Sequence, residues 1–501
     1  MIIDVHVHAL RHRGQDSLPE VQRQCRIDGC STALFSLGGT LAHYPDSEEV
    51  RRANDECLDI VRRSKGLGRF LVYLSPQNPD WREELQRGIA AGAVGVKLLS
   101  AFTDERGSLD NAIELVREVS RRGLGLLMHT WQKTEGNERG EINVRDFAAI
   151  AEACPDARMV AAHSGGNWRH SLGVLRDRLP NAHLECAGYY PERGLVEALV
   201  GDVGAERVLF GSDLAGRTQA SQIAKVALAD IPGEQKEMIL WKNAARVFGL
   251  KDLPPAPSAP LRPLDELPDF TTDHFCFVGR WPFHEGPSAS PQELNDLLAA
   301  AGIDLAYTGD LPTLLRQDLE RANNQFLSAC AGAGRIAPLA TLSPRAPNWR
   351  STLRHLKGGF AGVIVFPYAH NWELDAPEHA AFFRALADAR LPVWLNCALA
   401  DDRTRHSGLD WRRVRDEELA SFCASAPAND YVFQGLYSGP VAKALESASG
   451  GGRFRFDMSK FTDVCYAWDE FVGKHGRDCL VMGSEFPLRH IQEVRWTAQR
   501  I

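Results

Sequence analysis

MIIDVHVHAL (residues 1–10) places two imidazoles two positions apart inside an apolar run. On a β-strand successive side chains alternate between faces, so His6 and His8 share one face while Ile3, Val5 and Val7 take the other. The stretch reads as a strand whose end aims two histidines at one point. A single His-x-His also suits a strand end with satisfied or exposed histidines, so the pattern gains weight only where it recurs.

It recurs along the first half of the chain. Strand-length apolar runs follow at TALFSL (32–37), RFLVYLS (69–75), AVGVKLL (93–99), LGLLMHT (124–130), RMVAAHS (158–164), HLECAG (183–188) and RVLFGSD (207–213). Stretches with helical spacing of apolar residues lie between them, for instance 47–65, 79–91, 108–122 and 143–153. Eight β/α units in about 250 residues match the length and count of a (β/α)8 barrel. A doubly wound sheet is the alternative, and it needs a switch in strand order that sequence does not display.

At 501 residues the chain exceeds the size at which one hydrophobic core stops growing, so two domains are expected. KDLPPAPSAPLRPLDELP (251–268) holds six prolines and no helix or strand period, and reads as a stiff linker. Beyond it the first half returns. LSPQNPDWREEL (74–85) answers to LSPRAPNWRSTL (342–353) at an offset of 342 − 74 = 268, GVKLLS (95–100) to GVIVFP (362–367), LGLLMHT (124–130) to LPVWLNC (391–397), and LFGSDL (209–214) to VMGSEF (481–486). Repeats in one order at a nearly constant offset imply an α/β protein of two tandem TIM barrels, 1–250 and 269–501. After Glu485 only 501 − 485 = 16 residues remain, against 250 − 213 = 37 after Asp213, so the last helix of the second barrel is expected to be short or missing.

Composition narrows the function. A net charge of −8 gives no basic footprint for nucleic acid or an anionic membrane, and neither partner is expected. The first residues lack the apolar core of a signal peptide, no run of 18 apolar residues occurs, and a cytoplasmic protein is expected. Eleven scattered cysteines without a C-x-x-C pair read as reduced thiols.

In such a barrel the chemistry sits at the C-terminal strand ends. The first half places there His6 and His8 (strand 1), Lys97 (strand 4), His129 (strand 5), His163 (strand 6) and Asp213 (strand 8). Burying these groups together without a cation is costly, and three histidines with a carboxylate form a common set of Zn2+ ligands. The loops beyond add Trp131, Lys133, Arg169, Tyr189, Tyr190, Arg193 and Arg217, which suit a small carboxylate-bearing or aromatic substrate.

With NAARVFGL closing the half at 243–250, the order of these residues resembles the amidohydrolase superfamily. More narrowly it is similar to the branch that includes aminocarboxymuconate-semialdehyde decarboxylase, resorcylate decarboxylases and dicarboxylate lactonases and hydratases. The resemblance implies that His6, His8, His129 and Asp213 ligate one Zn2+ or another divalent metal, with His163 and Asp213 as catalytic acid/base groups. It leaves Lys97 as a substrate-binding cation, a structural residue or a carbamylated bridge to a second metal, and Lys97, Trp131, Arg169 and Arg217 are the expected substrate contacts. The implied activity is hydrolysis of a C–N or C–O bond through metal-activated water. Non-oxidative decarboxylation is the alternative, and a non-catalytic scaffold with a structural metal the second. The resemblance also implies pairing of the two barrels within the chain, with further oligomerisation open.

Over 269–501 the ligands do not persist. His129 aligns with Asn396, Asp213 with Glu485 and Lys97 with Ile364, while His163 falls on Gly435 or Tyr437. Strand 1 offers either His274 and Cys276 or, aligned on its Asp, Phe275 and Phe277. The second barrel is therefore expected to be a degenerate, metal-free copy.

Overall fold

Period-two alternation in the opening stretch produces strand β1 (Ile2–Ala9), and seven more parallel strands follow it in chain order: β2 (Cys30–Gly38), β3 (Gly68–Leu74), β4 (Gly95–Leu98), β5 (Gly125–Met128), β6 (Arg158–Ala161), β7 (Ala182–Glu185) and β8 (Val208–Leu209). This computed structural model describes all residues except 39–44, 99–108, 139, 176–178, 189, 282–287, 357 and 400. Each strand pairs with its sequence neighbours. The sheet is a nearly closed barrel. Val7 bridges Leu214, the N–H of Val5 donates to Phe210 O (3.2 Å), and the N–H of Asp213 donates to His6 O (2.9 Å).

The helices between strands form where apolar residues recur at helical spacing, and local signals set their ends. Ser47–Arg63 begins at Asp46, whose side chain accepts from Glu49 N–H while the Glu49 carboxylate accepts from Asp46 N–H. In the core, Ile3 and Val5 join Leu34, Leu71, Leu127, Val160 and Leu209 from five other strands, with Ala244, Val247 and Phe248 of NAARVFGL packed on them. Each such side chain contributes roughly 1.5–3 kcal/mol by leaving water. Phe248 fits because β4 and β5 begin with glycine: a Cβ on Gly95 would stand 2.7 Å from its ring and one on Gly125 3.0 Å.

By contact density the chain divides into two units, one of Met1–Tyr189, Gly194–Leu261 and Arg500, the other of Tyr190–Arg193, Arg262–Gln499 and Ile501. The second contains β9 (Thr272–Arg280), β10 (Leu305–Asp310), β11 (Ile336–Thr341), β12 (Gly362–Val365), β13 (Val393–Asn396), β14 (Asp430–Gln434), β15 (Arg453–Asp457) and β16 (Leu480–Val481), again parallel and in chain order. The expected second barrel is a partly curled sheet. A two-residue strand, Ser288–Ala289, pairs antiparallel with Gly279 and Arg280 at the end of β9, and β9 meets the segment after β16 through the Cys276 to Phe486 bridge and the bonds of His274 N–H to Met482 O (2.8 Å), Phe277 N–H to Phe486 O (2.8 Å) and Glu485 N–H to Phe275 O (2.6 Å). The last helix is short, Glu493–Ala498, but present. Among the described residues, no helix is long and apolar enough to cross a membrane.

Candidate metal and active site

The site grows from the alternation of β1. Asp4, two residues before His6, is buried and accepts from His6 N–H (3.1 Å), Ser212 N–H (3.0 Å) and Gln219 Nε2 (2.7 Å). It thereby fixes β1 to the turn after β8, although burial pushes its carboxyl up to about 6. That turn carries Asp213 at φ 65°, a left-handed conformation that Asp tolerates better than most residues. Asp213 Oδ1 lies 3.0 Å from His8 Nε2 and 3.7 Å from His6 Nε2.

The other imidazoles come from the ends of β5 and β6. His163 follows β6 at φ 57°, and its ring centroid stands 5.0 Å from those of His6, His129 and Trp131. His129 Nε2 faces Glu141 Oε1 at 3.4 Å, and the other Glu141 oxygen pairs with Lys133 Nζ at 2.9 Å. On β4, Lys97 is fully buried with Nζ 2.7 Å from His6 Nε2. Glu185 closes β7: it accepts from His163 N–H (3.0 Å) and Ala187 N–H (2.5 Å) and lies 3.3 Å from His6 Nδ1.

Burial sets the protonation states. It holds His6 and His163 well below the ordinary imidazole range, with the Lys97 charge adding to the effect, so both rings are neutral. Burial also lowers Lys97 to about 8 against the pull of Asp213 and Glu185, and raises Glu185 to about 7. For Asp213 burial acts upward, but the bond with His8 and the neighbouring His6 and His163 outweigh it and keep the carboxyl well below its usual range. Glu141, likewise pushed up by burial, is drawn down to about 2 by His129 and Lys133.

These groups fit a divalent cation. The ligand atoms of His6, His8 and Asp213 lie within 4.8 Å of one another, as do those of His6, His163 and Glu185. His163 Nδ1 is buried without a hydrogen-bond partner among the described residues. Neutral imidazoles and an ionised carboxylate are the forms that bind metal. His129 is in neither group; its Nε2 faces Glu141 at 3.4 Å and is likewise buried without a hydrogen-bond partner among the described residues.

Of the remaining expected contacts, Trp131 is buried against His163, and the Arg169 guanidinium lies over the Trp168 ring at 3.9 Å. Arg217 donates its backbone N–H to Asp213 O (3.1 Å). Tyr190 and Arg193 belong to the second unit, where Lys460 Nζ is 4.3 Å from the Tyr190 ring and Arg193 lies 5.1 Å from that of Phe486. Tyr189 lies outside the described residues. Sequence reading did not single out Asp4, Glu141 or Glu185. The available signal was a lone acid inside MIIDV and one inside HLECAG.

The second unit has similar backbone-to-carboxylate bonds among other side chains. Asp273 accepts from Phe275 N–H (2.9 Å) and Ser484 N–H (3.0 Å), as Asp4 does from His6 and Ser212. Phe275 and Phe277 thus stand to Asp273 as His6 and His8 stand to Asp4. Gly435, at φ 76°, donates its N–H to Asp457 Oδ2 (3.0 Å) much as His163 does to Glu185. Asn396 Nδ2 bonds Gln434 Oε1 (3.0 Å), and Glu485, at φ 56°, lies 3.6 Å from Lys460 Nζ.

The chain is similar in structure to 2,6-dihydroxybenzoate decarboxylase from Rhizobium (17% identity, TM-score 0.38, 50% of this chain and 98% of that one). It is also similar to an amidohydrolase from Burkholderia multivorans (15%, 0.41, 50% and 100%) and to a dihydroxybenzoic acid decarboxylase from Polaromonas with manganese and 2-nitroresorcinol bound (15%, 0.36, 50% and 97%). No curated protein sequence matches the chain. The amidohydrolase family model matches residues 3–250, and the first half of this chain is an enzyme domain of the amidohydrolase superfamily.

Proposed function

We propose that residues 1–250 form a metal-dependent hydrolase of small carboxylate-bearing or aromatic substrates. The observation that carries this reading is the convergence of His6, His8 and Asp213 beside a buried, unpartnered His163 Nδ1. His6, His8 and Asp213 hold one Zn2+ or similar ion, with His129 as the further ligand. Such an ion, when bound, polarises a substrate oxygen and brings water to a pKa of about 7. Asp213, kept ionised, is the base that takes a proton from the attacking water, and His163, kept neutral, moves a proton at the leaving atom. Lys97 and Arg217 supply positive charge to a substrate carboxylate, and Trp131 presents an aromatic face.

A purely structural ion is normally enclosed by its ligands, whereas here His163 stands beside them with a free ring nitrogen. The second half, with Phe275, Phe277, Ile364 and Asn396 at the matching places, is read as a tandem copy that works without metal and pairs with the first. Screening lactones, amides and hydroxybenzoates with metal-loaded protein tests the reaction. Turnover of a lactone or amide supports hydrolysis; release of CO2 from a hydroxybenzoate alone replaces it with decarboxylation; no turnover at full metal loading returns the scaffold reading.

A further inference from the structure

We infer that Glu185, on the seventh strand, is a positioning residue that orients His6 toward the metal. The inference rests on the metal site proposed above and adds to it a residue outside the ligand set.

An imidazole can ligate through Nε2 only if that nitrogen keeps its lone pair, so the ring proton must sit on Nδ1. Glu185 Oε2 stands 3.3 Å from His6 Nδ1, while His6 Nε2 faces Asp213 at 3.7 Å and Lys97 Nζ at 2.7 Å. A carboxylate accepts and does not donate, so it selects the Nδ1–H tautomer and frees Nε2. Glu185 is itself fixed: it accepts from the N–H groups of His163 and Ala187, and the Ser164 hydroxyl donates to its carbonyl oxygen (2.9 Å). The same carboxylate therefore holds the backbone of His163 and the ring of His6, and ties two imidazoles from different strands into one arrangement.

The second unit separates these duties. Asp457 occupies the corresponding position and accepts from Gly435 N–H (3.0 Å), Ser459 N–H (2.8 Å) and the Ser459 hydroxyl (3.0 Å). Phe275 stands where His6 does, so no ring proton needs an acceptor. An aspartate thus suffices for the backbone frame, and the extra methylene of Glu185 serves the reach to the imidazole.

The test is metal affinity by competition with a chromogenic chelator, read together with unfolding of the metal-free protein. Glu185→Asp copies the frame of the second unit and is expected to unfold like wild type while binding Zn2+ about 10–100-fold more weakly. Glu185→Gln is expected to weaken Zn2+ as well, because an amide N–H toward His6 favours the wrong tautomer, though it also sets a donor against one of the two backbone N–H groups and lowers the stability of the metal-free fold. Unchanged affinity in both variants overturns the inference, and so does loss of the metal-free fold in both, which would make Glu185 a frame residue. Wild type that binds no Zn2+ overturns the metal site instead.

Discussion

Glu185 and His6 stand 3.3 Å apart, carboxylate oxygen to Nδ1, at the ends of strands seven and one of the barrel. Barrel closure brings them together: the Asp213 N–H to His6 O bond holds β1 against the turn after β8, whose neighbour is β7. His6, a proposed ligand, is therefore held by contacts on both sides of the closing seam.

Metal removal follows directly. Purified protein is expected to carry about one divalent ion per chain, to lose turnover on dialysis against a chelator, and to regain it on adding Zn2+ or Mn2+. His6→Ala and Asp213→Ala should each abolish retention of the ion while far-UV circular dichroism stays unchanged. Elemental analysis giving two tightly held ions per chain would contradict the single-ion site.

His163→Asn isolates proton transfer from ligation. Asn tolerates the left-handed φ of 57°, and its N–H still bonds Glu185, so the turn is preserved. Metal content should match wild type and kcat should fall roughly 10²–10⁴-fold. Disappearance of the ion with the imidazole would make His163 a ligand.

The histidines, Lys97 and Asp213 were legible because each closes an apolar strand of a recurring β/α pattern, and position on that pattern marks the C-terminal rim. Glu185 was not, since one acid in HLECAG carries no period and its role depends on His6, 179 positions away. The turn of His129 toward Glu141 was hidden for the same reason: it depends on where the 131–142 loop returns. In the second half, Asp273 accepts two backbone bonds as Asp4 does, an arrangement that favours Phe275 and Phe277 over His274 and Cys276 at the places of His6 and His8.

Arg489 tests the second unit. It is unexposed and holds both Asp463 oxygens (2.8 and 3.1 Å), and it also bonds Glu493. Arg489→Met leaves buried acids without their cation, for which breaking a buried pair costs about 3–5 kcal/mol. Urea unfolding should show that loss; an effect under about 1 kcal/mol would mean that water reaches the acids.

Asp28 gives a pH signature. Burial raises its carboxyl from 3.8 to about 7 despite Arg500, whose Nε is 3.6 Å away. Between those values the folded chain holds a proton that the unfolded chain has released, so this contribution is full below pH 4 and lost as pH rises through about 7. Asp28→Asn should flatten that fall in the unfolding free energy between pH 4 and 7. Parallel wild-type and variant curves would refute the assignment.

Gly211 precedes Ser212 and Asp213 where space is least. A Cβ there would clash with Glu185 Oε1 and lie 2.8 Å from His6 Cβ, so Gly211→Ala must displace one of the two. Overpacking of this kind costs about 1–3 kcal/mol, and here it also moves a ligand. Gly483→Ala is the matched control: its Cβ would meet Phe275 Cβ at 2.5 Å and Asp457 Oδ1 at 2.6 Å, in a place with no histidine. Both variants should lower the unfolding free energy by similar amounts, but only Gly211→Ala should weaken Zn2+ binding. Equal Zn2+ affinity in the two would show that His6 keeps its orientation when Glu185 moves, and would separate the strain at this glycine from the geometry of the ligand.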